Sequence, residues 1–262
     1  MLHELDIEHW EKVASLFESH ILIQSIINPC IQSGIGSLIV DDTYSPSVAM
    51  YSIPMMIFLT GDATSSTALE FTKSLPPLII LIVPDDKWRE LLKNELGERL
   101  VVHHRTHLDH STLDIARLRK LKEELPVGYK LKELDLDVLP QIDPEYAIQI
   151  QMYYGKIENL VKTGIGFYIL DDKDKLASYA YTPFPFIDEF EIQVFTKNSP
   201  EYRRKGLATV VSAALIEFGL ENGYIPHWDA ANESSVKLAL KLGYTNPLPW
   251  EAYYCKSIEN KI

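Results

Sequence analysis

The stretch of this chain best suited to chemistry is Arg203-Arg204-Lys205-Gly206, followed by Leu207-Ala208-Thr209. An apolar run ending in Val194-Phe195-Thr196 precedes it. After it, Leu207, Val210, Val211, Ala214, Leu215 and Phe218 recur at helical spacing. The start of a helix leaves backbone N–H groups without intrahelical partners. Those groups, the positive end of the helix dipole and nearby cationic side chains together attract an anion. Gly206 has no Cβ, so backbone can come close to a bulky phosphate, and Ala208 keeps its own position small. A pyrophosphate suits the pattern.

A second candidate lies just upstream. In Glu189-Phe190-Glu191-Ile192-Gln193-Val194, strand alternation places both glutamates and Gln193 on one face. A carboxylate on a sheet covered by helices, with its pKa raised, would suit a general base. A solvated carboxylate near a strand start is the plainer account, and it fits Glu189 better than Glu191. Further on, His227 and Asp229 share one face of another short strand.

The elements that must position these groups follow from periodicity. Trp10, Val13, Phe17 and Ile21 predict an opening amphipathic helix behind an Asp6 N-cap, broken by Pro29, Gly34 and Gly36. Strands are expected at residues 53–60, 78–83 and 99–104, with helices at 64–74 and 85–96. A basic helix over 115–125 ends at Pro126-Val127-Gly128, where a domain boundary is expected. Beyond it the order reads strand 129–134, helical 136–162, strands 166–170, 175–182 and 189–196, helix 205–222, strand 226–230, helix 234–242 and strand 251–257. The fold class is α/β (α+β): a mixed sheet flanked by helices over residues 126–262, preceded by an N-terminal α/β domain over residues 1–125. No internal repeat is visible.

Here a resemblance becomes specific. Arg203-x-x-Gly206-x-Ala208 between strand and helix resembles the pyrophosphate loop of the GNAT acetyltransferase superfamily, whose sheet is mixed and mostly antiparallel. Asn232-Glu233-Ser234-Ser235-Val236, running on to Leu242-Gly243-Tyr244, resembles that family's second signature. Pro226-His227-Trp228-Asp229-Ala230-Ala231-Asn232 looks like its zwittermicin-resistance-type branch, in which an extra N-terminal domain precedes the catalytic one, a degenerate GNAT-like fold being one reading of that domain.

The resemblance implies an acetyl-CoA-dependent N-acetyltransferase acting on a primary amine. It implies that backbone groups from Arg204 through Lys205 to Thr209 cradle the pyrophosphate, with Arg203 and Arg204 adding charge. Val194, Phe195 and Thr196 would pair in strand fashion with the pantetheine arm, and Asn232 and Ser235 would border the cofactor. Simple helix capping would also account for Asn232 and Ser235. Glu191, nearer the thioester end, is the preferred base and Glu189 the second. One departure stands out: where many relatives have a Tyr for the leaving thiolate, this chain has Ala239. A catalytically degenerate acyl-CoA-binding module and a protein-modifying acetyltransferase are the alternatives.

Composition narrows the partners. The 262 residues carry 25 Lys+Arg against 37 Asp+Glu, a formal net charge of −12. Nucleic acid and anionic membrane surfaces would be repelled, whereas a small cationic amine would be drawn in. Cys30 and Cys255 form neither a disulfide framework nor a metal-ligand spacing, which is consistent with a reducing cytoplasm. The start of the chain lacks the basic-then-apolar order of a signal peptide. His103 and His107 would converge as metal ligands only on a helix, and the residues before them read as strand, so no metal is expected.

Overall fold

The computed structural model describes residues 2–257. Its elements run β1 (His3–Glu4), a 3₁₀ stretch (Ile7–Phe17), α1 (Gln24–Gln32), β2 (Ser37–Val40), β3 (Val48–Ile53), β4 (Met56–Gly61) and α2 (Ser66–Ser74). Then come β5 (Ile80–Ile82), α3 (Asp86–Leu96), β6 (Leu100–Asp109), α4 (Ile115–Glu123), β7 (Lys130–Glu133), α5 (Pro144–Tyr154) and α6 (Ile157–Thr163). The chain closes with β8 (Gly166–Leu170), β9 (Leu176–Tyr181), β10 (Glu189–Glu191), β11 (Gln193–Thr196), α7 (Leu207–Glu221), β12 (Ile225–Ala230), α8 (Glu233–Leu242) and β13 (Thr245–Cys255). This is the expected α/β class with mixed sheets.

Among the described residues, two compact units share these elements: residues 2–105 with 249–257, and residues 106–248. This division differs from the expected break near residue 125. Helix α4 belongs to the second unit, because Glu217, buried in the middle of α7, is paired by Arg119 Nε at 3.0 Å and by Lys122. Such a buried carboxylate needs cationic partners to be tolerated.

In the first unit, β2, β3 and β4 form an antiparallel meander, and β5 then pairs parallel to β4 after the crossover helix α2. Residues Tyr253 and Tyr254 of β13 pair antiparallel on β5. Phe71, Trp88, Leu92 and Tyr253 fill the core. The opening segment is 3₁₀ rather than α-helical, and Asp6 makes no side-chain cap. Pro29, expected to break a helix, lies inside α1.

The second unit repeats this plan. Strands β7, β8, β9 and β11 form an antiparallel sheet. Strand β10 pairs parallel to β12 after the crossover helix α7, and Thr106–Leu108 of β6 pair antiparallel on β12. A meander, a strand–helix–strand crossover and a final antiparallel neighbour thus occur in both units, although no sequence repeat is visible. The apolar face of α7 is buried almost throughout, and Gly219 lets it lie close on β10, where a Cβ would meet the Phe190 ring at 2.7 Å. Among the described residues, no helix is long and apolar enough to cross a membrane.

Candidate functional site

The candidate site lies in the second unit, where one expected strand is two. Alternation predicts one continuous strand over residues 189–196, but the chain breaks step at Ile192. Before the break, Glu189, Phe190 and Glu191 pair with Ile225, Pro226 and His227. After it, Gln193–Thr196 pair with Tyr181–Ser178 of β9, while Trp228–Ala230 pair with Leu108–Thr106 of β6. The parallel strands therefore part beyond the Glu191–His227 rung, leaving backbone edges for an extended guest to pair with.

Helix α7 starts beyond the end of β11. Its N-cap is Gly206 in the left-handed region (φ +79°), which has no side chain to cap the first N–H groups. An added Cβ there would meet nothing within 4 Å, so the cradle is open. The turn before it is tight: Ser199 O accepts from Tyr202 N at 3.0 Å and Arg203 N at 3.1 Å, and Arg204 has φ +57°. Arg203, Arg204 and Lys205 are exposed, while Leu207 and Thr209 point into the core and Ala208 is half-buried. The Lys205 ammonium stands 5.6 Å from the centre of the Tyr129 ring. Free N–H groups, a left-handed glycine and three cations fit a pyrophosphate. Val194, Phe195 and Thr196 lie half-buried along β11, with the Phe195 ring 4.7 Å from that of Tyr146.

Asn232 and Ser235 stand at the start of α8, and their side chains serve that helix. Asn232 Oδ1 accepts from Ser235 N at 3.0 Å, and Ser235 Oγ accepts from the Trp228 indole at 3.0 Å. Ala239 is fully buried among Leu242, Tyr244 and Trp228. Nor does Tyr244 offer a mobile proton. Its hydroxyl donates to Pro226 O at 2.9 Å inside the core, and burial raises it well above the ordinary phenol value.

Glu191 is buried beside the last rung, whereas Glu189 is half-exposed. Glu189 has a partner that strand alternation does not reveal: its Oε2 lies 2.6 Å from His227 Nε2. Two more rings approach His227, His110 at 5.1 Å and His107 at 6.2 Å between centres. Burial lowers the pKa of His227, against the pull of Glu189, and burial also lowers that of His107. The shared face of His227 and Asp229 was legible from alternation, but the strand register that brings in Glu189 and His107 was not. The histidine run is strand, so His103 and His107 do not converge. Among the described residues, no group of three His, Cys, Asp or Glu is arranged for a metal ion.

The family model for GNAT acetyltransferases matches residues 14–253. The chain belongs to this family. The match takes in nearly all of both units, not the second alone. A relative, the uncharacterized N-acetyltransferase YdfB of Bacillus subtilis (strain 168), is 24% identical over 264 residues, covering 97% of this chain and 98% of its own. A solved GCN5-related N-acetyltransferase-like protein from Streptococcus suis 89/1591 is 29% identical with a TM-score of 0.78, covering 95% of this chain and 99% of that one. A tandem GNAT protein from the clavulanic acid biosynthesis pathway shares the fold, with a TM-score of 0.54 at 13% identity and 97% of each chain covered. That likeness accords with a plan repeated in two units.

Proposed function

We propose that this GNAT chain transfers an acetyl group from acetyl-CoA to the primary amine of a small cationic molecule. The carrying observation is the parting of β10–β11 from β12 next to the uncapped start of α7. The backbone of 204–209 holds the pyrophosphate, with Arg203 and Arg204 adding charge, and residues 194–196 pair with the pantetheine arm. Bound there, acetyl-CoA supplies an activated acyl group. Glu189, Glu191 and Asp229 supply negative charge for an ammonium at the rung where the strands separate. Asn232 and Ser235 border the site through the helix they cap.

The first unit resembles the extra N-terminal domain of the zwittermicin-resistance-type branch and supplies no second cofactor site. At its α2 start, Asp62 Oδ1 accepts from Thr64 N at 2.9 Å and Ser65 caps Ala68 N at 3.1 Å, so a carboxylate and a hydroxyl occupy the equivalent of the cradle. His20 Nε2 bonds Leu59 O at 3.1 Å, and Thr60 Oγ1 donates to Leu16 O at 2.5 Å, covering the end of β4. We place the protein in the cytoplasm, on its two unpaired cysteines, which suit a reducing compartment.

A second reading is a CoA-binding module without turnover, favoured by the burial of Ala239 and Tyr244. Calorimetric titration with CoA, followed by thiol release from acetyl-CoA with tyramine, putrescine and glucosamine, separates the two. Acetyl transfer with one CoA per chain is expected. Tight CoA binding without thiol release on any amine supports the module. Two CoA per chain would overturn the assignment of the first unit, and no CoA binding would overturn both readings.

A further inference from the structure

We propose that His227, held by Glu189, takes up the proton that the acceptor amine must lose. The inference rests on the acyl-transfer reading above and names the residue for its proton step.

Three observations carry it. His227 is the β12 residue of the last parallel rung, opposite Glu191, where the two strands separate. Its Nε2 lies 2.6 Å from Glu189 Oε2, and with an ionised carboxylate and a neutral imidazole that contact requires Nε2–H to donate. Nδ1 is then the lone-pair nitrogen, and it is buried with no hydrogen-bond partner among the described residues. A buried polar atom without a partner is costly, on the order of 1–3 kcal/mol, and calls for an explanation such as a catalytic role. Glu189 is the positioning residue: it fixes the ring and its tautomer and stabilises the imidazolium once formed.

The surroundings favour a neutral ring before the step. Glu189 and Glu191 face His227 from β10, and Asp229 lies on its own strand. His107 of β6, with Asp109 nearby, and His110 face it from the other side. Burial and the two histidines lower His227 from the ordinary imidazole value, while Glu189 opposes them. An arriving ammonium therefore meets a neutral imidazole next to a carboxylate.

The step balances as follows. R–NH₃⁺ gives one proton to Nδ1, and the freed nitrogen pair forms a C–N bond at the thioester carbonyl carbon. The C–S bond breaks, its electron pair leaving on sulfur, which receives the second proton of the nitrogen directly or through water. His227 returns its own proton to solvent. The products are the amide, the thiol and one proton.

The test is the pH–rate profile of thiol release from acetyl-CoA, with tyramine, putrescine and glucosamine as acceptors, alongside CoA titration of each variant. His227→Gln should lower turnover at neutral pH by about 10²–10⁴-fold. The loss should shrink as pH approaches the amine's own pKa, and CoA affinity should be unchanged. Glu189→Gln should move the acid limb of the profile to lower pH, because the imidazolium loses its counter-charge. Should His227→Gln not fold, the Glu189→Gln profile decides alone, and an unmoved acid limb overturns the proposal. An unchanged profile in His227→Gln overturns it as well, as does an acid limb that Glu191→Gln removes and His227→Gln retains. In those cases CoA binding and acetyl transfer by the unmodified protein leave the acyl-transfer reading standing. Failure of the unmodified protein to bind CoA strikes that reading instead.

Discussion

The Tyr202 hydroxyl donates to Asp171 Oδ2 at 2.8 Å, tying the turn before Gly206 to the hairpin between β8 and β9. Asp171 is itself fixed, since its Oδ1 accepts from Lys173 N and Lys175 N, both at 2.9 Å. Burial first, and then the Asp171 carboxylate, push Tyr202 up to about 12, so it remains a donor at every working pH. The candidate phosphate cradle is thus anchored from outside its own helix.

Tyr202→Phe should therefore loosen the cradle without emptying the core. The lost bond is to a charged partner and is expected to cost about 1.5–3 kcal/mol of stability. CoA affinity should fall several-fold while the pH dependence of turnover stays as it was. Thermal unfolding and calorimetric titration of the one variant check both effects. Unchanged affinity would mean that the turn holds its shape without Asp171.

Gly206 separates charge from bulk. Its φ of +79° makes Gly206→Ala cost about 1–2 kcal/mol, although the added methyl meets no protein atom. Gly206→Asp should fold comparably, because aspartate tolerates the left-handed region, but it sets a carboxylate against the pyrophosphate. Like charges a few Å apart near a protein surface repel by about 4 kcal/mol, so CoA binding should be lost. Near-normal CoA affinity in Gly206→Asp would put the phosphates elsewhere.

His20 makes the first unit acid-sensitive. It is buried against Phe17 and Phe58, with Nε2 bonded to Leu59 O, and burial lowers its pKa from 6.5 to about 4. The unfolded chain then binds the extra proton first. His20 costs nothing above pH 6.5, and stability falls as pH drops from 6.5 toward 4. The full loss is on the order of 3 kcal/mol. His20→Gln, which keeps a donor for Leu59 O, should flatten this decline in melting temperature between neutral pH and pH 4. An equally steep decline in the variant would assign it to other groups.

Much of the second unit was legible in the chain. Helix α7 and its glycine start stand out because a long apolar stretch follows three cations and a glycine. Asn232 and Gly243 bracket α8, the one capping Ser235 N and the other in the left-handed region (φ +118°). The repeated plan of the first unit was not legible, since topology is shared where side chains are not. Nor was the placement of α4, whose membership depends on the Arg119–Glu217 pair, 98 residues apart.

What the sequence determined by itself is local: which residues start helices, which alternate on strands, and where an anion could sit. Capping, periodicity and backbone freedom act within a few positions, so residue order suffices to read them. The tertiary structure decided which strands lie side by side. The break at Ile192, the rung pairing Glu191 with His227, and the contact of His227 with Glu189 across 38 residues all depend on register. Register arises from how whole faces of strands pack beneath α7, and a shift of one residue would turn every one of these side chains to the opposite face.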